Sequence, residues 1–321
     1  MRNPAPDPLA PFLEGGGVLV LDGGLATELE GMGLNLDPPL WSARVLRDAP
    51  EAIAAVHRTY LDAGADCITT ASYQATFEGF AREGLSRAEA ALLLRRSVEL
   101  ATAARDAFWS DPLNRAGRHR PLVAASIGPY GAYLANGAEY TGDYDLDEAG
   151  LAAFHRERLL VLATAGADLL ACETIPSAAE ARALARLLAE VPGAPAWFSF
   201  SCRDAERISD GTPLVECVRE LAPHPQIVAM GVNCTAPEHV ESLLRAAATV
   251  TAKPLVAYPN SGERYAAASR TWLGARFADD WGACGRLWRG AGARLIGGCC
   301  RTGPAHIRSL RAAVGIRGAE A

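Results

Sequence analysis

The feature that most constrains this chain is one alternation, repeated eight times. Short runs rich in Val, Ile and Leu each give way to a longer Ala/Leu/Arg-rich stretch of helical period. The strand-like runs are 17–21, 67–70, 122–126, 169–172, 196–201, 227–232, 255–258 and 294–297. Helical stretches between them include 49–63, 86–109, 146–165, 177–190 and 237–249. The runs are apolar at successive positions rather than at every second one. Such strands are buried on both faces, as in a parallel sheet covered by helices. Eight units favour a single closed (β/α)8 barrel, with an open doubly wound sheet as the competing topology.

A local repeat supports one architecture throughout. Ala63-Gly64-Ala65-Asp66, Ala165-Gly166-Ala167-Asp168 and Ala291-Gly292-Ala293-Arg294 each close a helix and open a strand. The glycine suits the left-handed position after a helix. After the first strand, Asp22-Gly23-Gly24-Leu25-Ala26-Thr27 lacks the glycine spacing of a dinucleotide-binding turn. No linker divides the chain, so 17–314 is expected to be one barrel. Residues 1–16 are Pro-rich and expected to be a flexible lead-in, and 315–321 a tail.

Basic residues are scattered and the net charge is −6, which leaves no nucleic-acid footprint. No apolar run approaches the roughly 18 residues of a membrane span. The N-terminus lacks an apolar signal region, so a cytoplasmic location is expected. The eight cysteines would then sit in a reducing compartment, where metal binding or catalysis outranks a disulfide framework.

In a barrel, chemistry sits where strands end. Those ends read Asp22-Gly23-Gly24, Ser72-Tyr73-Gln74, Gly128-Pro129-Tyr130, Glu173-Thr174, Ser201, Asn233-Cys234, Asn260-Ser261 and Cys299-Cys300. Ser72 and Ser201 are equally well read as helix caps. Cys234 ends the sixth run, and Cys299 and Cys300 end the eighth. Three thiolates with a fourth position left to substrate describe a catalytic zinc site. The vicinal pair can reach one ion only if the chain bends there, and Gly297-Gly298 permits a bend. A helix after Pro304 would favour thiolate at Cys300. A redox pair is the alternative for Cys299-Cys300. Cys67, Cys172, Cys202, Cys217 and Cys284 read as small core residues. His57 and His155 fall inside helical stretches.

Together these stretches are similar to the homocysteine S-methyltransferase family. The resemblance rests on Asp22-Gly23-Gly24-Leu25-Ala26-Thr27-Glu28-Leu29, Thr70-Ala71-Ser72-Tyr73-Gln74, Gly231-Val232-Asn233-Cys234 and Gly297-Gly298-Cys299-Cys300. Ser126-Ile127-Gly128-Pro129-Tyr130 and Tyr258-Pro259-Asn260-Ser261-Gly262-Glu263 resemble the bacterial and plant branch that uses S-methylmethionine. The resemblance implies a (β/α)8 TIM barrel and Zn2+ on Cys234, Cys299 and Cys300. It implies a small-molecule enzyme that moves a methyl group from a sulfonium donor to homocysteine, giving methionine. Asp22 and Glu173 are strand-end acids suited to the substrate ammonium, and the resemblance implies the same role. The amides of Gly23 and Gly24 are candidates for its carboxylate, and Asn233 for orienting a ligand. Ser72, Gln74 and Tyr130 complete the expected substrate-binding set. The loop 129–145 carries Tyr130, Tyr133, Tyr140 and Tyr144, whose faces suit a sulfonium, and it is long enough for a lid. S-adenosylmethionine as donor or selenocysteine as acceptor stays open, as does a zinc or thiol redox sensor. Oligomeric state is not legible.

Overall fold

The structure, a computed structural model, describes residues 7–36, 41–266, 271–275, 277 and 280–315. Numbering the barrel elements alone, the strands are β1 Leu19–Val20, β2 Cys67–Thr69, β3 Leu122–Ile127, β4 Leu169–Ile175, β5 Ala196–Phe200, β6 Ile227–Asn233, β7 Leu255–Tyr258 and β8 Ala293–Ile296. The helices that follow them are α1 Pro50–Ala63, α2 Arg87–Ser110, α3 Glu148–Ala163, α4 Ala178–Leu188, α5 Leu214–Leu221, α6 Pro237–Ala248, α7 Trp281–Gly290 and α8 Pro304–Val314. Neighbouring strands pair in parallel from β2 through β8, and β8 pairs with β1. A bridge from Leu21 to Cys67 closes the ring as a (β/α)8 TIM barrel. A short antiparallel ribbon, Arg264–Ala266 with Thr271–Leu273, is inserted between β7 and α7.

The seam between β1 and β2 has few backbone bonds, and carboxylates supply the rest. Asp66 Oδ2 accepts the N–H of Val20 at 3.1 Å, and Asp22 Oδ2 accepts that of Thr69 at 2.7 Å. Asp66 belongs to the repeated helix-to-strand connection, and its second copy does the same work. Asp168 Oδ2 accepts Val123 N–H at 2.7 Å while pairing with Arg105 at 2.8 Å. Each aspartate thus reaches back to the foot of the preceding strand. The repeat glycines Gly64, Gly166 and Gly292 all take positive φ, at 107°, 95° and 111°. In the third copy Arg294 instead donates to the carbonyl of Ala293 at 3.1 Å.

Two cores result. An outer one packs the helices against strand residues such as Val20, Ile68, Val123, Phe198 and Val232. The lumen is filled by Leu19, Leu21, Cys67, Ala124, Ala171, Trp197, Val256 and Leu295. Along each strand the inward row turns polar toward its C-terminal end: Leu122, Ala124, then Ser126; Leu169, Ala171, then Glu173; Trp197, then Ser199. That gradient sets the chemistry at one rim. A groove of about 650 Å3 opens on the outer surface near the feet of β4 and β5, lined in part by Arg95, Asp168 and Glu190. Its Asp168 already serves Arg105 and Val123.

The lead-in expected to be flexible over 1–16 is partly structural. A helical turn at Ala10–Leu13 brings Leu9 and Phe12 into the lumen core, where they are 0% and 7% exposed. Composition hid this, because two apolar side chains among prolines are enough to plug a barrel. Residues 1–6 and 316–321 lie outside the described residues. Phe12→Ala is expected to lower unfolding free energy by about 3 kcal/mol in urea titration. A lead-in without contacts predicts no measurable change.

Candidate metal and substrate site

Three sulfurs meet at the rim. Cys299 Sγ lies 2.9 Å from Cys234 Sγ, Cys300 Sγ lies 3.4 Å from it, and all three fall within 4.8 Å of one another. The backbone is bent to achieve this. Cys234 has φ 48°, Thr174 has φ 59° and Arg301 has φ 66°, values that strain a residue with a side chain. Asn233 braces the second: its Oδ1 accepts Thr174 N–H at 2.7 Å and its Nδ2 donates to Thr174 Oγ1 at 2.7 Å. The same Nδ2 faces Cys299 Sγ at 3.9 Å.

The vicinal pair sits in a loop after β8 that is held from three sides. Cys299 N–H donates to Pro259 O at 2.8 Å, Ser261 N–H to Cys300 O at 3.1 Å, and Thr302 Oγ1 to Cys299 O at 2.7 Å. Gly297 and Gly298 are needed for close approach rather than for positive φ. A Cβ would stand 2.5 Å from Leu21 Cβ at the first and 2.2 Å from Thr302 Oγ1 at the second. Helix α8 begins at Pro304, beyond this loop.

These residues fit a metal ion. Sulfurs about 2.3 Å from one tetrahedral zinc stand roughly 3.8 Å apart, so the sulfurs at 2.9 and 3.4 Å from Cys234 Sγ need to spread by less than about 1 Å to share an ion. The three thiols together favour one thiolate. Cys234 is held well below the usual thiol range by its Cys299 and Cys300 neighbours, which are themselves pushed up. A dication bound here must expel the remaining protons.

Two acids share the rim. Burial pushes Asp22 up to about 8, against hydrogen bonds from Thr69. Burial likewise pushes Glu173 up to about 7, although Ser126 Oγ and Tyr258 OH both donate to it. Gly23 and Gly24 meet a packing need beside the role expected of their amides. The Gly24 N–H is taken up by Thr302 O at 3.0 Å, and a Cβ there would stand 2.7 Å from Cys299 O. A Cβ at Gly23 would stand 2.9 Å from the Tyr60 ring and from Thr302 O. Both glycines let the end of β1 press against the cysteine loop, and the Gly24 amide is not available to a carboxylate.

The remaining expected residues divide. Ser72 is fully buried and donates to Ser126 O at 2.7 Å, which makes it a tie between β2 and β3. Gln74 Nε2 donates to Ala132 O in the rim loop at 3.3 Å, and its Oε1 is buried with no partner among the described residues. Tyr130 packs edge-on to Tyr144 and Phe154 and beside Tyr133, while its N–H donates to Glu180. Of the four loop tyrosines it is Tyr140 that reaches the cysteines, its hydroxyl 3.5 Å from Cys234 Sγ. Tyr258, Ser126, Thr174, Tyr73 and Glu139 also belong to the site and were not singled out. Inward alternation marks Ser126 and Tyr258, and no local pattern marks Glu139.

A TIM barrel whose rim joins three thiols to two buried acids is the frame of a thiol-handling enzyme. Comparison with known proteins gives the same answer. The family model for homocysteine S-methyltransferase matches residues 19–314. Homocysteine S-methyltransferase YbgG of Bacillus subtilis is 53% identical over 306 residues, covering 95% of this chain and 97% of the relative. Homocysteine S-methyltransferase of Escherichia coli is 52% identical over 311 residues, covering 95% and 98%. The crystal structure of the Escherichia coli homocysteine methyltransferase MmuM in its metallated form superposes with a TM-score of 0.86 at 50% identity, over 95% of this chain and 99% of that one. The chain belongs to the homocysteine S-methyltransferase family and is an enzyme that methylates homocysteine.

The raised acids make a pH prediction. A carboxyl whose folded value exceeds its unfolded one stabilises the fold below the unfolded value and loses that contribution as pH rises through the folded value. The protein without metal or substrate should therefore lose stability between pH 5 and pH 8. Glu173→Gln should remove on the order of 2 kcal/mol of that loss, read by urea unfolding across the range. Parallel curves for the variant and the parent contradict the burial argument.

Proposed function

We propose that this enzyme transfers a methyl group from a sulfonium donor, S-methylmethionine in first place, to homocysteine at a zinc ion held by Cys234, Cys299 and Cys300. The observation that carries the reading is the meeting of three sulfurs beside two buried acids that have no cation among the main influences on them in the described residues. When bound, zinc would make the homocysteine thiol a stronger acid, so that its sulfur would react as a thiolate near neutral pH.

The chain's own residues do the rest. Asp22 and Glu173 take the ammonium of homocysteine, and its positive charge offsets the burial that otherwise keeps them protonated. Asn233 orients Cys299 and fixes the bend at Thr174. Gln74 ties the rim loop down through Ala132 and keeps an acceptor oxygen for substrate. The loop 129–145 covers the site and brings Tyr140 over Cys234. In the transfer, a sulfonium and a thiolate approach in line and both charges vanish. A dry, preoriented rim favours that transition state.

Support for S-methylmethionine comes from the resemblance of Ser126-Ile127-Gly128-Pro129-Tyr130 and Tyr258-Pro259-Asn260-Ser261-Gly262-Glu263 to the bacterial and plant branch that uses it, and relatives from Bacillus subtilis and Zea mays are 53% and 50% identical to this chain. We place the enzyme in the cytoplasm. Its eight cysteines are all unbridged, which suits a reducing compartment. No helix among the described residues is long and apolar enough to cross a membrane.

Cys299→Ser should lower bound zinc well below one per chain and kcat/KM by more than about a thousandfold, read by metal analysis and methionine formation. Full retention of both contradicts the metal assignment. Asp22→Asn should keep the metal and raise the KM for homocysteine by about ten- to a hundredfold. Turnover with S-methylmethionine should exceed that with S-adenosylmethionine in parallel assays, and the reverse order refutes the donor choice.

A further inference from the structure

Above the cysteines the rim loop presents one more acid, to which the reaction as described gives no task. Glu139 lies in the single turn Ala138–Tyr140. Its main chain is fastened from two directions. Ser201 Oγ donates to its carbonyl at 2.9 Å, and Gly131 is so close that a Cβ there would stand 2.3 Å from the Glu139 nitrogen. The start and the middle of the loop are therefore clasped together. The next residue, Tyr140, sets its hydroxyl 3.5 Å from Cys234 Sγ.

The Glu139 carboxyl is near enough to Cys234 and to Tyr73 for their charges to act on one another. Its Oε2 is buried with no hydrogen-bond partner among the described residues. Burial pushes its pKa up to about 7, against hydrogen bonds from the backbone of Glu139 and Gly137, and the charge of Cys234 adds to the rise. Among the described residues no arginine or lysine is a main influence on it. Tyr73, a second aromatic ring at the rim, is near enough to feel both Glu139 and Cys234. A buried acid with an unmatched oxygen is costly to keep unless its partner arrives with substrate.

Counting charges identifies that partner. Homocysteine brings one ammonium, and Asp22 and Glu173 meet it. S-methylmethionine brings two more cations, its own ammonium and the sulfonium, and of these the sulfonium must come to rest against the sulfur held at the cysteines. We infer that Glu139 is the counter-ion of the donor's sulfonium, with Tyr140 and Tyr73 offering it aromatic faces. This rests on the sulfonium-donor reading above and adds the residue that recognises the donor. In the transfer, the homocysteine sulfur uses a lone pair to form the new C–S bond. The donor's S–CH3 bond breaks with its electron pair staying on the donor sulfur. The donor becomes a neutral thioether, so Glu139 loses its partner and favours donor over product.

A contact of about equal strength in the bound complex and in a transition state that still carries much of the sulfonium charge acts on KM rather than on kcat. In the metal-loaded enzyme, Glu139→Gln should raise the donor KM about thirtyfold and change kcat less than about threefold. The homocysteine KM and the bound metal should stay as in the parent. The trimethylsulfonium ion, which carries the charge and no ammonium, should compete with the donor, and its inhibition constant should rise by a similar factor. An unchanged donor KM in Glu139→Gln, with a parent enzyme that turns over a sulfonium, overturns this assignment alone. So does a penalty seen with S-methylmethionine and absent with trimethylsulfonium, which would place the donor's ammonium at Glu139. Failure of trimethylsulfonium to compete in the parent also overturns it. A parent that turns over no sulfonium donor overturns the functional reading first and this one with it.

Discussion

The site depends on how the end of β7 grips its two neighbours. Cys234 follows β6, and Cys299 with Cys300 follow β8, so one strand stands between them. Successive carbonyls at the end of that strand receive both sides. Cys234 N–H donates to Tyr258 O at 3.1 Å, and Cys299 N–H donates to Pro259 O at 2.8 Å. Residues far apart in sequence are thereby set at a separation fixed by strand pairing, which a flexible loop could not hold. The strained φ at Cys234 is the local cost of turning its sulfur inward, and Asn233 stabilises the bend at Thr174.

The rest of the rim follows from the barrel's filling. Apolar side chains close the lumen below, with Leu9 and Phe12 sealing its foot. The polar ends of the same inward rows then have no route to bulk water except through the mouth. Burial raises Asp22, Glu173 and Glu139 together, and of the three thiols Cys234 alone is favoured as a thiolate. The resting site is thus short of cations. An ammonium, a sulfonium and a metal ion are the groups that would complete it, and they are those that homocysteine methylation brings.

Much of this was legible in the sequence, for identifiable reasons. The eight strands appear where continuous Val/Ile/Leu runs stood, because burial on both faces leaves no other composition. The repeated Ala-Gly-Ala-Asp connection was recognised through its glycine. The job of Asp66 and Asp168, reaching back to the preceding strand, was not, because it depends on a neighbour distant in sequence. Cys234, Cys299 and Cys300 stood out by strand-end position. Gly23 and Gly24 stood out too; both pack closely on the cysteine loop, and the Gly24 amide is spent on Thr302 rather than left open. Tyr130 and Tyr140 could not be told apart along the loop. Only the fold shows that the first packs on Phe154 while the second reaches Cys234. The plug at Leu9 and Phe12 was hidden by the prolines around it.

The most direct test of the account is X-ray absorption at the zinc edge of the purified, zinc-loaded enzyme, before and after homocysteine is added. The account predicts three sulfur neighbours at about 2.3 Å with one lighter ligand, becoming four sulfurs when homocysteine binds. A first shell of nitrogen and oxygen alone, or a sulfur count that homocysteine leaves unchanged, would contradict it.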